Sequence, residues 1–145
     1  MTSKILLLLL LFIGGSPRED VKVATYSTGK PETDAYESLS FWVKDHHRAY
    51  IQYSHGRDAE GVDLRWLGPD STNGERGFKA ELPDKSVLLL TPRGTQLQVR
   101  RPKDAAPRDF AWENENQPDS TGVRCNICAK DEKDAMKMME EYFLR

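Results

Sequence analysis

Apolar side chains recur at every second position through much of the chain between Val21 and Glu115. A two-residue period is typical of strands that bury one face, so this part of the chain is predicted to form a sheet. The alternating segments are Leu39–Val43, Ala49–Tyr53, Val62–Trp66, Phe78–Leu82, Leu97–Val99 and Phe110–Trp112.

One apolar run breaks this pattern. Val87, Leu88, Leu89 and Leu90 are all apolar, with no polar position between them. An uninterrupted run of this length favours a strand that is covered on both faces.

Turn-forming residues separate the predicted strands. The predicted turns are Asp45–Arg48, Gly68–Gly74, Pro83–Lys85 and Pro92–Gly94. Proline followed by a flexible residue suits a tight reversal, and such short links can join only antiparallel neighbours. The middle of the chain is therefore predicted to be an antiparallel meander.

The period changes near the end of the chain. Apolar residues there follow helical spacing, which indicates one amphipathic helix. They are Ala135, Met138, Met139, Tyr142 and Phe143. The helix begins either at Asp131, with Asp134 three residues later, or earlier, near Asn126. The fold class is therefore α+β: mainly an antiparallel β meander, as a small barrel or sandwich, closed by one C-terminal helix.

These periods also predict which side chains form the core. From the sheet we expect Phe41, Ile51, Leu64, Phe78, Leu89, Leu97 and Trp112 to be mostly buried, and from the helix Ala135, Met139 and Tyr142 to pack on the sheet. Most of the strand aromatics, Tyr26 and Trp66 among them, are expected in this core.

The N-terminus has the pattern of a secretory signal peptide. Lys4 precedes an unbroken apolar run from Ile5 to Ile13, which ends in Gly14, Gly15 and Ser16. Nine residues of helix cover about 14 Å, half of a hydrocarbon core, so a membrane span is disfavoured. We expect residues 1–15 to be a signal peptide and 16–145 one domain, exported to a periplasm or the cell exterior. A buried N-terminal strand or helix is the competing interpretation.

Length and charge narrow the functional classes. The 145 residues carry 21 Lys and Arg against 23 Asp and Glu, a net charge of −2, which disfavours dedicated nucleic-acid binding. Motifs for nucleotide binding and the common hydrolase constellations are absent from the sequence, which favours a non-enzymatic protein without a cofactor.

Cys125 and Cys128, separated by two residues, are the first chemical candidates. In an exported chain we expect them to form a disulfide, and such a short loop contributes little stability. A structural role competes with thiol–disulfide exchange, which would be favoured if the start of the helix lowered the pKa of one thiol.

Three histidines lie close together in the sequence at His46, His47 and His55, with carboxylates nearby. Adjacent residues of a strand point to opposite faces, so the first two converge poorly, and no metal site is assigned.

Trp42 and Tyr50 fall on the strand face opposite the main apolar set. They either fill a second packed layer or form a binding face, because aromatic rings on a polar face are common contact anchors. The loops 54–61 and 68–75 are further candidates for a binding surface.

A basic group is formed by Arg93, Arg100, Arg101, Lys103 and Arg108. We expect these side chains to lie along a solvated sheet edge, which is favoured over a polyanion site.

The sequence thus predicts an exported, non-enzymatic binding module for an unidentified protein, peptide or surface ligand. A small thiol–disulfide redox protein acting through Cys125 and Cys128 is the alternative.

Overall fold

The computed structural model describes residues 20–57, 60–72, 74–115 and 125–145. The predicted signal peptide therefore lies outside the described residues. Eight strands follow one another as neighbours, and the eighth pairs with the first, so the antiparallel meander is a closed barrel. They are β1 (Val21–Thr28), β2 (Glu37–Lys44), β3 (Arg48–His55), β4 (Val62–Thr72), β5 (Glu75–Glu81), β6 (Val87–Arg93), β7 (Gln96–Arg100) and β8 (Arg108–Trp112).

The alternating pattern predicts the orientation of most strands correctly. In β2, the residues in phase with Leu39 and Phe41 point inward and are buried, whereas the residues between them are half-buried. Five of the seven sheet residues predicted for the core are buried: Phe41, Ile51, Leu64, Phe78 and Leu97. Trp112 is only half-buried, although it packs against the same core.

The prediction that β6 is covered on both faces is wrong. Leu88 and Leu90 point into the barrel and are buried, but Leu89 points outward and is only half-buried. It lies beside Lys79 and Arg100 of the neighbouring strands. Lysine and arginine stems can lie along apolar surface while their charges stay in water, so a leucine flanked by them needs no second layer.

The predicted turn from Gly68 to Gly74 is too long, because β4 continues to Thr72 and pairs there with Glu75 of β5. The register shifts between Trp66 and Gly68, which leaves Leu67 as the extra residue of a β-bulge. Pro69 is tolerated here because β4 has separated from β3 by this point, so its missing N–H costs no ladder hydrogen bond on that side.

The C-terminal helix α1 (Glu132–Tyr142) begins where the first of the two predictions put it. Asp131 is its N-cap, and the side chain of this residue accepts a hydrogen bond from the Asp134 N–H. Ala135, Met138 and Met139 are buried, and the half-buried Tyr142 packs against the same core.

Helix α1 and the residues after it close one end of the barrel. Phe143 is buried, and its ring lies 5.3 Å from that of Phe41 and 5.6 Å from that of Phe78. At the same end Tyr142 contacts His46 of the β2–β3 turn. The aromatic interior of the barrel is therefore continuous with the helix. Among the described residues, no helix is long and apolar enough to cross a membrane.

The segment before the helix completes the edge of β1. Strand β8 pairs with β1 only at Tyr26 and Ser27. Beyond that point, Val23 donates a hydrogen bond to the Ile127 carbonyl (2.9 Å) and accepts one from the Ala129 N–H (2.8 Å). The Cys125–Cys128 loop thus occupies the position beside β1 that β8 has left.

Candidate binding cleft and neighbouring sites

Strands β3 and β4 diverge at the end of the barrel that α1 closes. They pair only through Ile51–Leu64, Gln52–Asp63 and Tyr53–Val62. Within the described part of the chain, residues 48–50 pair with β2 alone. One edge of β3 therefore leaves its backbone groups without a strand partner, which is the arrangement that accepts an added strand.

A cleft of about 430 Å³ opens at this unpaired edge. Its size falls in the usual range for ligand sites. Apolar and aromatic groups come from both strands and from the end of the helix, and imidazole and charged groups surround them. The lining residues are His46, His47, Ala49, Trp66, Glu141, Tyr142, Phe143 and Arg145.

Trp66 is the most prominent side chain of the cleft. It was predicted in the core, but 39% of its surface is exposed, because β4 has left β3 at this point. Its indole N–H donates to the Phe143 carbonyl across 3.2 Å, which fixes the ring against the tail of the chain. An ordered, exposed tryptophan in a cleft is a frequent anchor of protein–protein contacts.

The β2–β3 turn holds one rim of the cleft in place. Asp45 and His46 have φ angles of 52° and 60°, a left-handed conformation that costs free energy for residues other than glycine. Asp20 holds the turn through two contacts. The Asp20 carbonyl accepts a hydrogen bond from the Asp45 N–H (2.7 Å), and the Asp20 carboxylate lies 2.5 Å from His46 Nε2. The other ring nitrogen of His46 faces the Tyr142 hydroxyl at 3.4 Å.

The opposite end of the barrel contains a buried ionic cluster. Glu37 points inward in phase with Leu39, and its side chain is only 2% exposed. Its carboxylate accepts hydrogen bonds from Arg101 (2.7 Å), from Arg108 and from the Tyr53 hydroxyl (2.5 Å). These contacts satisfy a carboxylate that burial would otherwise make costly.

Protonation within this cluster follows from its contacts. Burial alone would raise the pKa of Glu37, but the hydrogen bonds from Arg108 and Tyr53 and the two guanidinium charges outweigh it, so the pKa lies below its usual value. Burial and the Glu37 carboxylate together raise the pKa of Tyr53 to about 12. The cluster keeps an ionised carboxylate at neutral pH and closes this end with polar groups.

This cluster also changes the interpretation of the basic group. Arg101 and Arg108 turn toward Glu37, and Arg93 forms an ion pair with Glu75 at 2.7 Å. The predicted solvated edge therefore does not form as one patch, because Arg101 and Arg108 bind the buried carboxylate of Glu37.

Trp42 and Tyr50 lie opposite each other on the outer face of β2 and β3. Their rings stack at 5.8 Å with an interplanar angle of 3°, and the Lys44 ammonium lies 5.5 Å from the centre of the Tyr50 ring. Both rings are half-buried. Because Tyr50 belongs to the unpaired part of β3, this aromatic pair borders the cleft from the outside.

Cys125 and Cys128 form a disulfide with a Cα–Cα distance of 5.5 Å. Helix α1 begins only at Glu132, so neither sulfur lies in its first turn, and the condition that would have favoured thiol–disulfide exchange through the helix start is not met. Glu115 Oε2 lies 3.0 Å from Cys128 Sγ. Burial and the charge of Glu113 raise the pKa of Glu115, whereas a hydrogen bond with Thr25 opposes the shift.

The same three side chains are the one group among the described residues that could hold a metal ion. The ligand atoms of Glu115, Cys125 and Cys128 lie within 4.8 Å of one another. While the disulfide is intact, neither sulfur is a thiolate, so the pair cannot serve as metal ligands. His46 and His47 bind Asp20 and the Asp45 carbonyl instead.

The ionic cluster was not predicted from the sequence, in which Arg101 and Arg108 stood only as members of a solvated basic group. Glu37, Arg101 and Arg108 are each in phase with inward-facing apolar residues, Leu39, Val99 and Phe110, and that phase was the available signal. Glu115 carries no such signal, because its contact with Cys128 joins residues 13 positions apart in the sequence. Of the two candidate loops, 68–75 is largely strand, and 54–61 includes residues outside the described part.

Comparison of the chain with protein-family models, with curated proteins and with solved structures finds no match.

Proposed function

We propose that this protein is an exported binding module that holds an extended peptide segment of a protein partner in the cleft between β3 and β4. The observation that carries the proposal is the unpaired β3 edge at residues 48–50, which faces the exposed ring of Trp66.

The backbone of β3 supplies the first part of the binding mode. An extended peptide placed along this edge forms strand hydrogen bonds with it, and such bonds depend little on the peptide sequence. The remaining edge is short, so the peptide is expected to pair with only a few residues of β3.

The side chains supply the second part. Alternate residues of a strand point to opposite faces, so one set of peptide side chains faces the cleft and the other faces the outer surface. The inner set contacts Trp66 and Tyr142, which favours an apolar anchor. The outer set passes beside Tyr50 and its stacked partner Trp42.

Export is part of the proposal and rests on the apolar leader. The disulfide agrees with an oxidising compartment, where such bonds form and persist.

Selection from a phage-displayed random peptide library tests the binding mode. Enriched peptides are expected to share an apolar residue and to lose at least about tenfold in affinity for the Trp66→Ala variant. Leu67→Ala is the matched control, because Leu67 is 40% exposed and adjacent but does not line the cleft. Melting curves of both variants show whether the fold is intact.

A second variant keeps the test decisive if Trp66→Ala unfolds. Ala49 is exposed and lines the cleft, so Ala49→Arg obstructs it without removing core contacts. The proposal is wrong if no peptide is enriched. It is also wrong if the enriched peptides bind Trp66→Ala and Ala49→Arg as tightly as they bind the parent protein.

A further inference from the structure

The disulfide lies in a setting that a purely structural staple does not require. The loop that it closes already forms two backbone hydrogen bonds with Val23, and both sulfurs are only half-buried. Bridging two residues this close in sequence stabilises a fold little, because little loop entropy is removed. The disulfide therefore adds little stability, and it is partly exposed to solvent.

Glu115 makes the most specific contact with this disulfide. Neither sulfur of a disulfide carries a proton, so a hydrogen bond across the 3.0 Å between Glu115 Oε2 and Cys128 Sγ must be donated by the protonated carboxyl. The Thr25 hydroxyl also binds Glu115 and lies 3.1 Å from the Ser40 hydroxyl. The carboxyl is thus held by neighbouring groups and directed at one sulfur.

We infer that Cys125, Cys128 and Glu115 form a thiol–disulfide exchange centre in which Glu115 donates a proton to the sulfur of Cys128. The reductant is a dithiol, either a small molecule or a protein with two neighbouring thiols. This activity is independent of peptide binding in the cleft.

The reaction begins when a thiolate of the dithiol attacks Cys125 Sγ. A sulfur–sulfur bond forms between them, the Cys125–Cys128 bond breaks, and its electron pair remains on Cys128 Sγ. Glu115 transfers its proton to that sulfur, which gives a Cys128 thiol and a Glu115 carboxylate. Attack at Cys125 is the productive direction, because it releases negative charge at the sulfur nearest the proton donor.

The second thiolate of the dithiol completes the exchange. It attacks its own partner sulfur in the mixed disulfide and releases Cys125 as a thiolate, which takes a proton from water. The dithiol is oxidised to a disulfide, and the two cysteines gain two electrons and two protons, one from Glu115 and one from water. Glu115 then regains its proton from water. The reverse sequence oxidises Cys125 and Cys128 again at the expense of a disulfide substrate.

The ionisation of Glu115 supports this role. Burial and the nearby charge of Glu113 raise its pKa, so more of the carboxyl keeps a proton near neutral pH than a solvated glutamate would. Glu113 in turn accepts a hydrogen bond from the Tyr36 hydroxyl at 2.5 Å. Among the described residues, Glu113 is the charged group that acts on Glu115 from the β8 side, and Thr25 and Cys128 face it from the other elements.

Reduction of the folded, oxidised protein by dithiothreitol tests the inference. The rate is divided by the dithiothreitol thiolate concentration at each pH, which removes the titration of the reductant. For the parent protein this normalised rate is expected to fall as pH rises, because Glu115 loses its proton. Glu115→Gln should be at least about tenfold slower at low pH, with a flat profile, since an amide cannot transfer the proton.

Glu113→Gln is the matched control, because it removes a carboxylate two residues away and leaves the proton donor Glu115 in place. Its normalised rate should keep the sloping profile, displaced to lower pH, because loss of the Glu113 charge lowers the pKa of Glu115. The inference is wrong if Glu115→Gln and the parent protein have the same rate and profile, or if the folded protein resists reduction at every pH. A circular dichroism spectrum of each variant shows that the barrel is intact, so that a lost rate is not the result of unfolding.

Discussion

Trp66 and Phe143 lie 77 positions apart in sequence and are joined by one hydrogen bond, from the indole N–H to the backbone carbonyl. This contact links the bulged strand β4 to the tail that fills the end of the barrel. It also places the exposed face of the Trp66 ring in the cleft. The residue proposed as the peptide anchor is thus also part of the packing that closes the barrel.

Replacement of Trp66 by phenylalanine separates these two roles. Trp66→Phe keeps an aromatic ring in the cleft but leaves the Phe143 carbonyl without this donor. The free energy of unfolding should fall by about 1 kcal/mol, the usual contribution of such a hydrogen bond. Urea denaturation measures the change, and a loss above about 4 kcal/mol would mean that Trp66 acts as a core residue.

Phe143 should contribute much more to stability than its exposed neighbours. Its ring is buried between Phe41 and Phe78, so Phe143→Ala leaves a cavity and should cost about 3–5 kcal/mol. Glu140→Ala, at an exposed position of α1, is the control and should change stability by less than about 0.5 kcal/mol. Equal effects of the two changes in thermal unfolding would contradict the packing of the tail inside the barrel.

The buried carboxylate of Glu37 should make stability depend on pH. Its pKa is lower in the folded protein than the ordinary value of 4.5, so its contribution is complete above that pH and is lost as pH falls through the folded value. At neutral pH, Glu37→Gln should lower the free energy of unfolding by about 2 kcal/mol, because charged hydrogen bonds are lost.

The difference between the parent protein and Glu37→Gln should narrow as the pH is lowered, since the parent carboxylate becomes protonated as well. Chemical denaturation at a series of pH values measures this. Glu140→Gln, which alters an exposed carboxylate, should show no comparable narrowing. A difference that stays constant down to the acid transition would show that Glu37 is not an ionised partner of Arg101 and Arg108.

Removal of the disulfide should leave the fold nearly unchanged. The double variant Cys125→Ser with Cys128→Ser is expected to lose less than about 2 kcal/mol, because the closed loop is so short. The hydrogen bonds between Val23 and the loop should persist, and hydrogen exchange at Ala129 reports on them. Rapid exchange there, together with a larger loss, would mean that the bond holds the edge of β1 closed.

The sequence predicted the barrel wherever one face of a strand is buried and the other is solvated. Leu39 and Phe41 show this period clearly, and the Asp131 cap predicted the start of α1. The uninterrupted apolar run Val87–Leu90 predicted the wrong surroundings for Leu89, because a lysine and an arginine flank this residue where a second layer was expected. The two-residue period failed at Trp66, because the separation of two strands is a tertiary feature.

The candidate sites were less predictable for the same reason. Cys125 and Cys128 could be paired from their spacing, but the approach of Glu115 to Cys128 is a tertiary contact between residues 13 positions apart. The unpaired edge of β3 leaves no local signal either, because Ala49 and Tyr50 continue the alternation of Ile51 and Tyr53.

Hydrogen exchange of the β3 amides, measured by NMR with and without a peptide selected from the phage library, tests the central proposal most directly. In the free protein, amides from residues 48–50 that point toward β4 should exchange much faster than those of the paired residues 51–53. Addition of the peptide should slow the exchange of these amides, and of no other strand edge to the same extent. If they are already protected in the free protein, or if the peptide protects a different surface, the cleft between β3 and β4 is not the binding site.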